Sequence, residues 1–183
     1  MSKKAYALFG GSFDPPHLGH KEIVLKALEV AKKVIIVPTY LNPFKNSFTV
    51  SPQKRLSWVQ KSFEHPDIIV SDYEIKQNRA VYTIETFNAL KEKYPIEYII
   101  IGADNVKTLH KWRDFEVLNS KITWIIATRN QEEIDTSRLK KFKIIAVDKD
   151  VSSSEIRAGK KLEYLDEKIK KEVIDEYKLT TKS

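Results

Sequence analysis

The chain has 183 residues, of which 42% are hydrophobic and none is cysteine. It can therefore bury the core of one domain, but it holds no disulfide, thiolate zinc site or cysteine nucleophile. No run of ~18 apolar residues occurs, which excludes a membrane-spanning helix. The formal net charge of +7 comes from interspersed charges, and this excess suits nucleic acid, an anionic membrane or a small polyphosphate substrate equally well.

The first half of the chain alternates between buried strands and amphipathic helices. We expect a strand over residues 5–9, a helix over 18–33 with apolar residues at helical spacing, and a strand over 34–37. A helix of about a dozen residues then opens at Ser51 and Pro52, an N-cap followed by proline at the first helical position.

The second half continues this alternation. Strands are predicted over 68–70, 98–101, 122–127 and 143–147, with a helix over 83–94 and a C-terminal helical segment at about 160–178. In that segment one helix face carries Leu165, Ile169, Val173 and Tyr177. Buried strands that alternate with helices favour a parallel sheet covered on both faces. We predict a single α/β domain over 1–183, with a Rossmann-like, doubly wound, mainly parallel sheet that binds ligands beyond the carboxyl ends of its strands.

The most informative segment joins the first strand to the first helix. Residues 10–20 read Gly-Gly-Ser-Phe-Asp-Pro-Pro-His-Leu-Gly-His and hold three of the five glycines. Adjacent glycines let a ligand approach the backbone without a Cβ in the way. The N-terminus of the following helix offers N–H groups and a positive dipole to a phosphate. The segment therefore predicts a phosphate-binding corner.

His17 and His20 lie three residues apart in the first turn of that helix, so they share a face that points toward the same corner. Two imidazoles there can donate hydrogen bonds to a charge-rich transition state and partly neutralise it. The alternatives are incidental histidines at a strand–turn–helix corner and a metal-binding pair, for which no third ligand is evident. Neither a P-loop nor a dinucleotide fingerprint is present, so kinase and dehydrogenase functions are excluded.

A serine-rich segment, Val-Ser-Ser-Ser-Glu-Ile-Arg at residues 151–157, follows the last predicted strand. Ser152 with Glu155 three residues later is the pattern of a capping box that opens a short helix. Such a helix start is also an anion site, where Arg157 can share a face with Ser154 and hold phosphate oxygens in a bidentate fork. The two interpretations are compatible.

Both segments resemble the two signatures of the HxGH nucleotidyltransferases, and more narrowly those of the bacterial nicotinate-nucleotide adenylyltransferases. The second signature of that family reads Ile-Ser-Ser-Thr-x-Ile-Arg, from which this chain departs at Val151 and at Ser154, where the hydroxyl is kept. The resemblance extends from Tyr6 to Arg157, with the two motifs in the right order and each beside a predicted helix start.

The resemblance implies two groups of residues that act on ATP. The catalytic group is His17, His20, Lys45 and Arg157. The residues implied to bind ATP are Gly10, Gly11, Ser12, Phe13, Asp14, Gly19, Gly102, Asp104, Ser152, Ser153, Ser154 and Ile156. Asp104 would accept hydrogen bonds from a ribose diol, although a helix N-cap explains an aspartate at this position equally well.

The assignment of Lys45 to the catalytic group depends on a partial match to the family pattern. The family commonly carries Pro-Pro-His-Lys here, with the lysine near the phosphates, whereas this chain has Asn42 and Phe44 at the first and third of these positions. Only the lysine carries over from the family pattern. A lone lysine in a surface loop is the alternative interpretation.

For the mononucleotide, the resemblance implies Thr83, Thr86 and Trp112. The family segment Ser-Tyr-Thr-x-x-Thr, here with Val81 in place of serine, meets the nicotinate carboxylate, and the tryptophan stacks on the pyridine ring. Thr83, near the predicted helix start, is equally well explained as a cap.

Four further side chains lie outside these motifs. We expect Trp58 and Trp124, which have apolar neighbours in the sequence, to belong to the core. His65 and His110 have no motif around them, and we expect both to lie on the surface.

The implied reaction joins nicotinate mononucleotide to the AMP moiety of ATP, giving deamido-NAD and pyrophosphate in NAD biosynthesis. The mononucleotide phosphate would attack the α-phosphorus directly, with ATP as co-substrate and Mg²⁺ carried by its phosphates and water. Nicotinamide mononucleotide stays open as the substrate, as does a sibling activity such as that of pantetheine-phosphate adenylyltransferase. A basic nucleic-acid-binding module is the distant alternative.

The expected partners are small molecules, ATP and a pyridine mononucleotide, with neither nucleic acid nor membrane. The basic residues are scattered, whereas nucleic-acid binding would need them gathered with aromatics on one face. Lys3 and Lys4 are followed within a few residues by Gly10, which leaves no room for the apolar region of a signal peptide. A cytoplasmic location is therefore expected, and the sequence indicates no oligomeric state.

Overall fold

The computed structural model describes residues 3–129 and 132–180. Its strands are β1 (Tyr6–Gly11), β2 (Lys33–Pro38), β3 (Ile68–Val70), β4 (Ile96–Gly102), β5 (Thr123–Thr128) and β6 (Phe142–Ala146). They form one parallel sheet in the order β3-β2-β1-β4-β5-β6.

Seven α-helices and two 3₁₀ segments surround the sheet in the described part of the chain. The helices are α1 (Leu18–Ala27), α2 (Pro52–Ser62), α3 (Tyr73–Lys76), α4 (Thr83–Leu90), α5 (Phe115–Lys121), α6 (Ser153–Arg157) and α7 (Glu167–Tyr177). The 3₁₀ segments span Ala103–Lys111 and Leu162–Tyr164. Among the described residues, no helix is both long and apolar enough to cross a membrane.

Hydrophobic cores cover both faces of the sheet. In β1, Leu8 belongs to the core on one face, whereas Ala7 and Phe9 belong to the core on the other. Helices α4 and α5 contribute to the first core, and α1 and α2 to the second. Because both faces are buried, the central strands are continuous apolar runs in the sequence. The predicted Rossmann-like, doubly wound α/β fold is confirmed.

The direction in which the sheet grows reverses beside β1. Strands β2 and β3 lie on one side of β1, and β4, β5 and β6 lie on the other. The adjacent strands β1 and β4 end at Gly11 and Gly102. In open parallel sheets, a crevice forms beyond the carboxyl ends of the strands at such a reversal. The topology therefore places a binding crevice next to both glycine-bearing strand ends.

Two helices end earlier than predicted. Helix α1 ends at Ala27 rather than at residue 33, because the chain turns and the N–H of Lys32 donates to the carbonyl of Ala5. Helix α4 ends at Leu90 rather than at residue 94. Pro95 follows, and proline disfavours the helical conformation at the residue before it.

The C-terminal helix α7 and the serine-bearing helix α6 share a third core with α2. Its buried members are Val50, Trp58, Val151, Ile156, Leu165, Ile169 and Val173. Three of the four positions predicted to form the apolar helix face are among them, and the fourth, Tyr177, packs against this core. The prediction of one helical segment over about 160–178 is wrong at its start, because the chain is extended at Leu165 and α7 begins at Glu167, so Leu165 reaches the core from outside that helix. The third core therefore holds α6 in place at the crevice.

Candidate active site

Two cavities open beyond the carboxyl ends of the central strands. The first, called here the histidine cavity, has in its wall His17, His20, Asp104, Ser152 and Ser153. The second, called the threonine cavity, has in its wall Thr83, Thr86 and Trp112. Both cavities share Gly10, Gly11 and Gly102, so they meet at the ends of β1 and β4.

The two histidines are held by backbone hydrogen bonds at the start of α1. His17 is the N-cap, and its Nδ1 accepts from the N–H groups of Gly19 at 3.1 Å and His20 at 3.3 Å. The Nδ1 of His20 accepts from the N–H of His17 at 3.1 Å, and the two rings stack with their centroids 3.7 Å apart. Since both Nδ1 atoms are acceptors, Nε2 carries the proton of each neutral ring.

Burial keeps both rings neutral. Desolvation, with a smaller effect of the positive charge of Arg129, lowers the pKa of His17 to about 4. Desolvation also lowers the pKa of His20 well below its ordinary value, helped by His17 and Arg129. At neutral pH the free protein therefore offers two Nε2–H donors rather than two cations. The positive charge of this cavity comes instead from Arg129 and Lys149, which line it and which the sequence motifs do not include.

Gly19 is required by the packing of the histidine pair. A Cβ at this position would lie 2.9 Å from Cε1 and Nδ1 of His17 and 2.9 Å from Cγ1 of Val151. Such distances are too short for carbon, so any side chain would displace the N-cap imidazole or the segment that leads into α6. Gly19 therefore leaves the space in which His17 closes over the helix start, whereas its contact with ATP, which the resemblance implies, stays a prediction.

The glycine-rich turn is anchored by Arg55, a residue that the sequence motifs do not include. Its side chain is 2% exposed and donates to the carbonyls of Ser12 (2.6 Å), Tyr40 (3.0 Å) and Val50 (3.2 Å). Phe13, at φ 49°, is buried beside the turn and packs edge-on against His20. The turn is therefore fixed by contacts from α2 and the core as well as by its glycines.

Arg157 joins α6 to the same turn. Its Nη1 donates to the carbonyl of Asp14 at 2.6 Å, and its Nη2 donates to the Oγ of Ser154 at 3.1 Å, so the predicted shared face is confirmed. The Asp14 carboxylate accepts a hydrogen bond from the hydroxyl of Tyr177 in α7. Burial raises the pKa of Asp14, against the opposing charges of Arg157, Arg55 and Lys45.

Helix α6 presents its first serines to the histidine cavity. Ser152 is the N-cap, and its Oγ accepts from the N–H of Glu155 at 3.1 Å, as the capping pattern predicts. Ser153 donates to the carbonyl of Pro15 at 2.8 Å, which docks the helix on the turn. Ile156 is fully buried in the third core, so its side chain packs rather than faces the cavity.

Lys45 lies at the edge of this arrangement. It is exposed, and it follows a turn in which the N–H of Phe44 donates to Oδ1 of Asn42 at 2.9 Å. Asn42 and Phe44 line the threonine cavity. The charge of Lys45 lowers the pKa of Asp14 in the glycine-rich turn, but Lys45 is not among the residues that line either cavity.

The two predicted threonines differ in what their side chains do. Thr83 is the first residue of α4 and is half-buried, while Tyr82 is the N-cap, so the interpretation of Thr83 as the cap is wrong. Thr86 is buried, and its hydroxyl donates to Oε2 of Glu74 at 2.8 Å. Burial raises the pKa of Glu74 to about 7. Glu74 also lines this cavity and was not predicted.

Asp104 and Trp112 lie at opposite ends of the 3₁₀ segment that follows β4. Asp104 is exposed in the histidine cavity, and Gly102 rather than Asp104 is the N-cap. A Cβ on Gly102 would lie 2.7 Å from Oδ1 of Asp104, so the glycine leaves room for that carboxylate. Trp112 is half-buried and meets Trp124 edge-on at 6.1 Å.

The residues outside the motifs lie where the sequence predicts. Trp58 and Trp124 are fully buried, and His65 and His110 are exposed. Within residues 3–129 and 132–180, no three His, Asp or Glu side chains are grouped so that they could hold a metal ion.

Comparison with known proteins places the chain in a family. Residues 8–159 match the cytidylyltransferase-like family. The chain is 46% identical over 176 residues to a probable nicotinate-nucleotide adenylyltransferase of Sulfurovum sp. (strain NBC37-1), covering 94% of each protein. It is 46% identical over 182 residues to a protein of the same name from Campylobacter jejuni, covering 97% of this chain and 98% of the relative.

The fold is also found in solved structures. It is similar to that of Plasmodium falciparum nicotinic acid mononucleotide adenylyltransferase complexed with NaAD, with a TM-score of 0.75 and 21% identity. The similarity covers 96% of this chain and 97% of that chain. At this level of identity, the likeness concerns the arrangement of strands and helices.

Proposed function

The chain belongs to the cytidylyltransferase-like family and, within it, to the nicotinate-nucleotide adenylyltransferases, and we propose that it transfers the AMP moiety of ATP to nicotinate mononucleotide. A phosphate oxygen of the mononucleotide forms the new bond to the α-phosphorus of ATP. The bond from that phosphorus to the bridging oxygen of the β-phosphate breaks, and pyrophosphate leaves with the electron pair. The products are deamido-NAD and pyrophosphate.

The histidine pair is the observation that carries this proposal. His17 and His20 line one cavity, and each ring has its Nδ1 occupied by a backbone N–H. Nε2–H is therefore the donor that each ring can offer to a bound ligand. Two fixed donors at the start of α1 are suited to the oxygens of an α-phosphate on which negative charge accumulates during the transfer.

We assign ATP to the histidine cavity. Asp104, which lines this cavity, would accept hydrogen bonds from the ribose, and the N-terminus of α6 would meet the phosphates. Arg157, which is bonded to the glycine-rich turn at Asp14, and Lys45, whose charge acts on the same aspartate, would hold the triphosphate and the leaving pyrophosphate. The remaining contacts come from the glycine-rich turn, whose glycines let the nucleotide approach the backbone.

We assign nicotinate mononucleotide to the threonine cavity. Trp112 offers an aromatic face to the pyridine ring, and Thr83 offers its hydroxyl at the start of α4. Thr86 acts through Glu74, because its hydroxyl hydrogen is donated to that carboxylate. Since the two cavities meet at Gly10 and Gly11, the phosphate of one substrate can reach the α-phosphate of the other.

Positioning and charge stabilisation suffice for this reaction. The attacking phosphate is already anionic, so no general base is required. Mg²⁺ enters with ATP, bound by its phosphates and water, and supplies charge neutralisation there. We propose that the whole chain, residues 1–183, acts as one unit in the cytoplasm on small molecules, without nucleic acid or membrane.

Pyrophosphate release tests the proposal. The protein is incubated with ATP and Mg²⁺ and, in parallel reactions, with nicotinate mononucleotide, nicotinamide mononucleotide or phosphopantetheine. Release with the nicotinate compound at a rate well above the other two is expected. Equal rates with both pyridine compounds would overturn the substrate assignment. Release with phosphopantetheine alone would move the chain to a sibling activity.

A further inference from the structure

Arg113 is a cation in the wall of the threonine cavity that no motif explains. It lies beside Trp112, in the corner between the 3₁₀ segment and α5, and lines the same cavity as Thr83 and Thr86. Its guanidinium carbon lies 3.7 Å from the centroid of the Tyr82 ring. The side chain is therefore held on the aromatic face of the residue that caps α4.

Stacking leaves the donors of the guanidinium available. The contact with Tyr82 uses the flat face of the group, whereas the five N–H donors lie in its plane and point outward. Among the residues that the structure describes, no carboxylate oxygen lies within 4.0 Å of Arg113. The cation is thus oriented by Tyr82 without being neutralised by an ion pair.

The carboxylate whose pKa Arg113 influences, Glu85, already accepts hydrogen bonds from other groups. Glu85 accepts from Nη2 and Nη1 of Arg79 at 2.9 and 3.4 Å, and from the N–H of Tyr82 at 2.9 Å. Arg113 adds only a minor lowering of the pKa of Glu85. Glu74, the acidic residue among those that line this cavity, is buried and accepts a hydrogen bond from the hydroxyl of Thr86. Arg113 therefore has its donors available for an anionic ligand.

We propose that Arg113 is the specificity-determining residue that recognises the carboxylate of the nicotinate ring and disfavours the carboxamide of nicotinamide. The inference rests on the proposed function, which places the pyridine ring in this cavity against Trp112. A planar guanidinium donates two parallel hydrogen bonds to a carboxylate. A carboxamide has no negative charge and only one acceptor oxygen, so it cannot accept this charge-assisted pair of hydrogen bonds.

The test compares Arg113→Gln and Arg113→Lys with the wild type on both pyridine substrates. The glutamine variant is expected to lose roughly 10- to 100-fold in kcat/KM for nicotinate mononucleotide, the range for a charge-assisted hydrogen bond. The value for nicotinamide mononucleotide is expected to stay within about 3-fold. The lysine variant, which keeps the charge without the fork, is expected to lie between glutamine and wild type.

Lys111→Gln is the matched control. It removes the same charge two residues away, at an exposed position at the end of the 3₁₀ segment, and it is expected to leave both values unchanged. A substrate preference in Arg113→Gln equal to that of the wild type would overturn the proposal. An equal fall for both substrates would also overturn it, because that result indicates a purely structural role.

Calorimetric titration separates this inference from the proposed reaction. Binding of each mononucleotide to the wild type and to Arg113→Gln is measured without ATP, so no turnover is needed. Selective weakening of nicotinate mononucleotide in the variant supports the role of Arg113 even if pyrophosphate release fails. Equal binding of that compound by both proteins contradicts the role of Arg113 even if the wild type turns over.

Discussion

At the scale of single residues, we assign two separate functions to each histidine of the candidate site. Nδ1 closes the first turn of α1, and Nε2 carries the proton that a ligand can meet. Asparagine at position 17 would preserve the first function, because it is a favourable N-cap. Its shorter side chain has no donor at the position of Nε2. The substitution therefore separates folding from catalysis.

We expect His17→Asn to lower kcat by roughly 10²- to 10³-fold, the usual effect of removing one transition-state donor. The unfolding temperature should change little, since the cap is kept. Steady-state formation of deamido-NAD measures kcat, and calorimetry measures the unfolding temperature. His110→Asn, at an exposed histidine, is the control and should match the wild type. Wild-type turnover by His17→Asn would refute the role of Nε2.

Gly19→Ala tests whether the lack of a side chain at position 19 is what allows His17 to adopt its position. The added carbon would lie 2.9 Å from His17 and from Val151, so we expect a loss of about 1–3 kcal/mol in the free energy of unfolding from overpacking. Activity of the folded variant should fall strongly as well, because the imidazole moves. Urea denaturation and kcat, measured on the same preparation, check both effects.

Gly159→Ala provides the comparison for that variant. Gly159 has φ +83° and no heavy atom within 4 Å of an added Cβ, so alanine there costs roughly 1 kcal/mol of backbone strain without touching the site. The folded variant should keep its kcat. If Gly19→Ala likewise kept full activity when folded, the displacement of His17 would be ruled out.

At the scale of elements, α2 is a brace for the site rather than part of it. Arg55 donates from this helix to carbonyls in the glycine-rich turn, in the loop after β2 and just before α2 itself. The bond to Val50 is buried and those to Ser12 and Tyr40 are partly buried, so removing the arginine leaves several poorly solvated carbonyls without partners. Because α2 is packed in the core, Arg55 fixes the position of Ser12 relative to that core.

We expect Arg55→Met, a change of similar volume, to reduce the free energy of unfolding by about 3 kcal/mol or more. Lys54→Met is the matched control at the preceding residue. It removes an exposed ion pair with Glu176, which is worth at most about 1 kcal/mol. Urea denaturation of both variants gives the comparison, and losses of similar size would show that Arg55 is not a brace.

The strands were predictable because each central strand is buried on both faces and therefore has no polar alternation. The helix ends were not, since they depend on tertiary contacts such as the bond from Lys32 to Ala5. Helix α3 has four residues, too few for helical periodicity to be visible. Local patterns thus predict elements, and contacts between elements set their ends.

At the scale of the whole molecule, some residues of the candidate site could be predicted from local sequence and others could not. Both signatures were predictable because each is a continuous segment whose chemistry is local. Arg55, Arg129 and Glu74 were not, because their roles come from contacts across the fold. Arg55 is 43 residues from Ser12, and Arg129 enters the histidine cavity from the end of β5. In open parallel sheets, ligands bind beyond the carboxyl ends of the strands, and Arg129 lies at such an end.

The buried Glu74 makes global stability depend on pH. Burial raises its pKa to about 7 from the ordinary 4.5. Below pH 4.5 both folded and unfolded chains hold the proton. Between pH 4.5 and about 7 the unfolded chain loses it while the folded chain keeps it, so this carboxyl lowers the free energy of unfolding as pH rises.

Glu74→Gln removes this titration while keeping an acceptor for Thr86. Relative to the wild type, the variant should gain about 2–3 kcal/mol in the free energy of unfolding between pH 5 and pH 8. Urea denaturation at the two pH values measures the difference, with Glu163→Gln at an exposed position as control. A wild-type-to-variant difference that does not change with pH would refute the raised pKa.

The transfer of the adenylyl group is tested most directly by the fate of the α-phosphorus. The protein is supplied with Mg²⁺, nicotinate mononucleotide and ATP labelled with ³²P at the α-phosphate, and the products are separated. Direct attack at that phosphorus predicts all transferred label in deamido-NAD, with one unlabelled pyrophosphate released for each dinucleotide formed. Label in free AMP, or pyrophosphate released without the mononucleotide, would contradict adenylyl transfer.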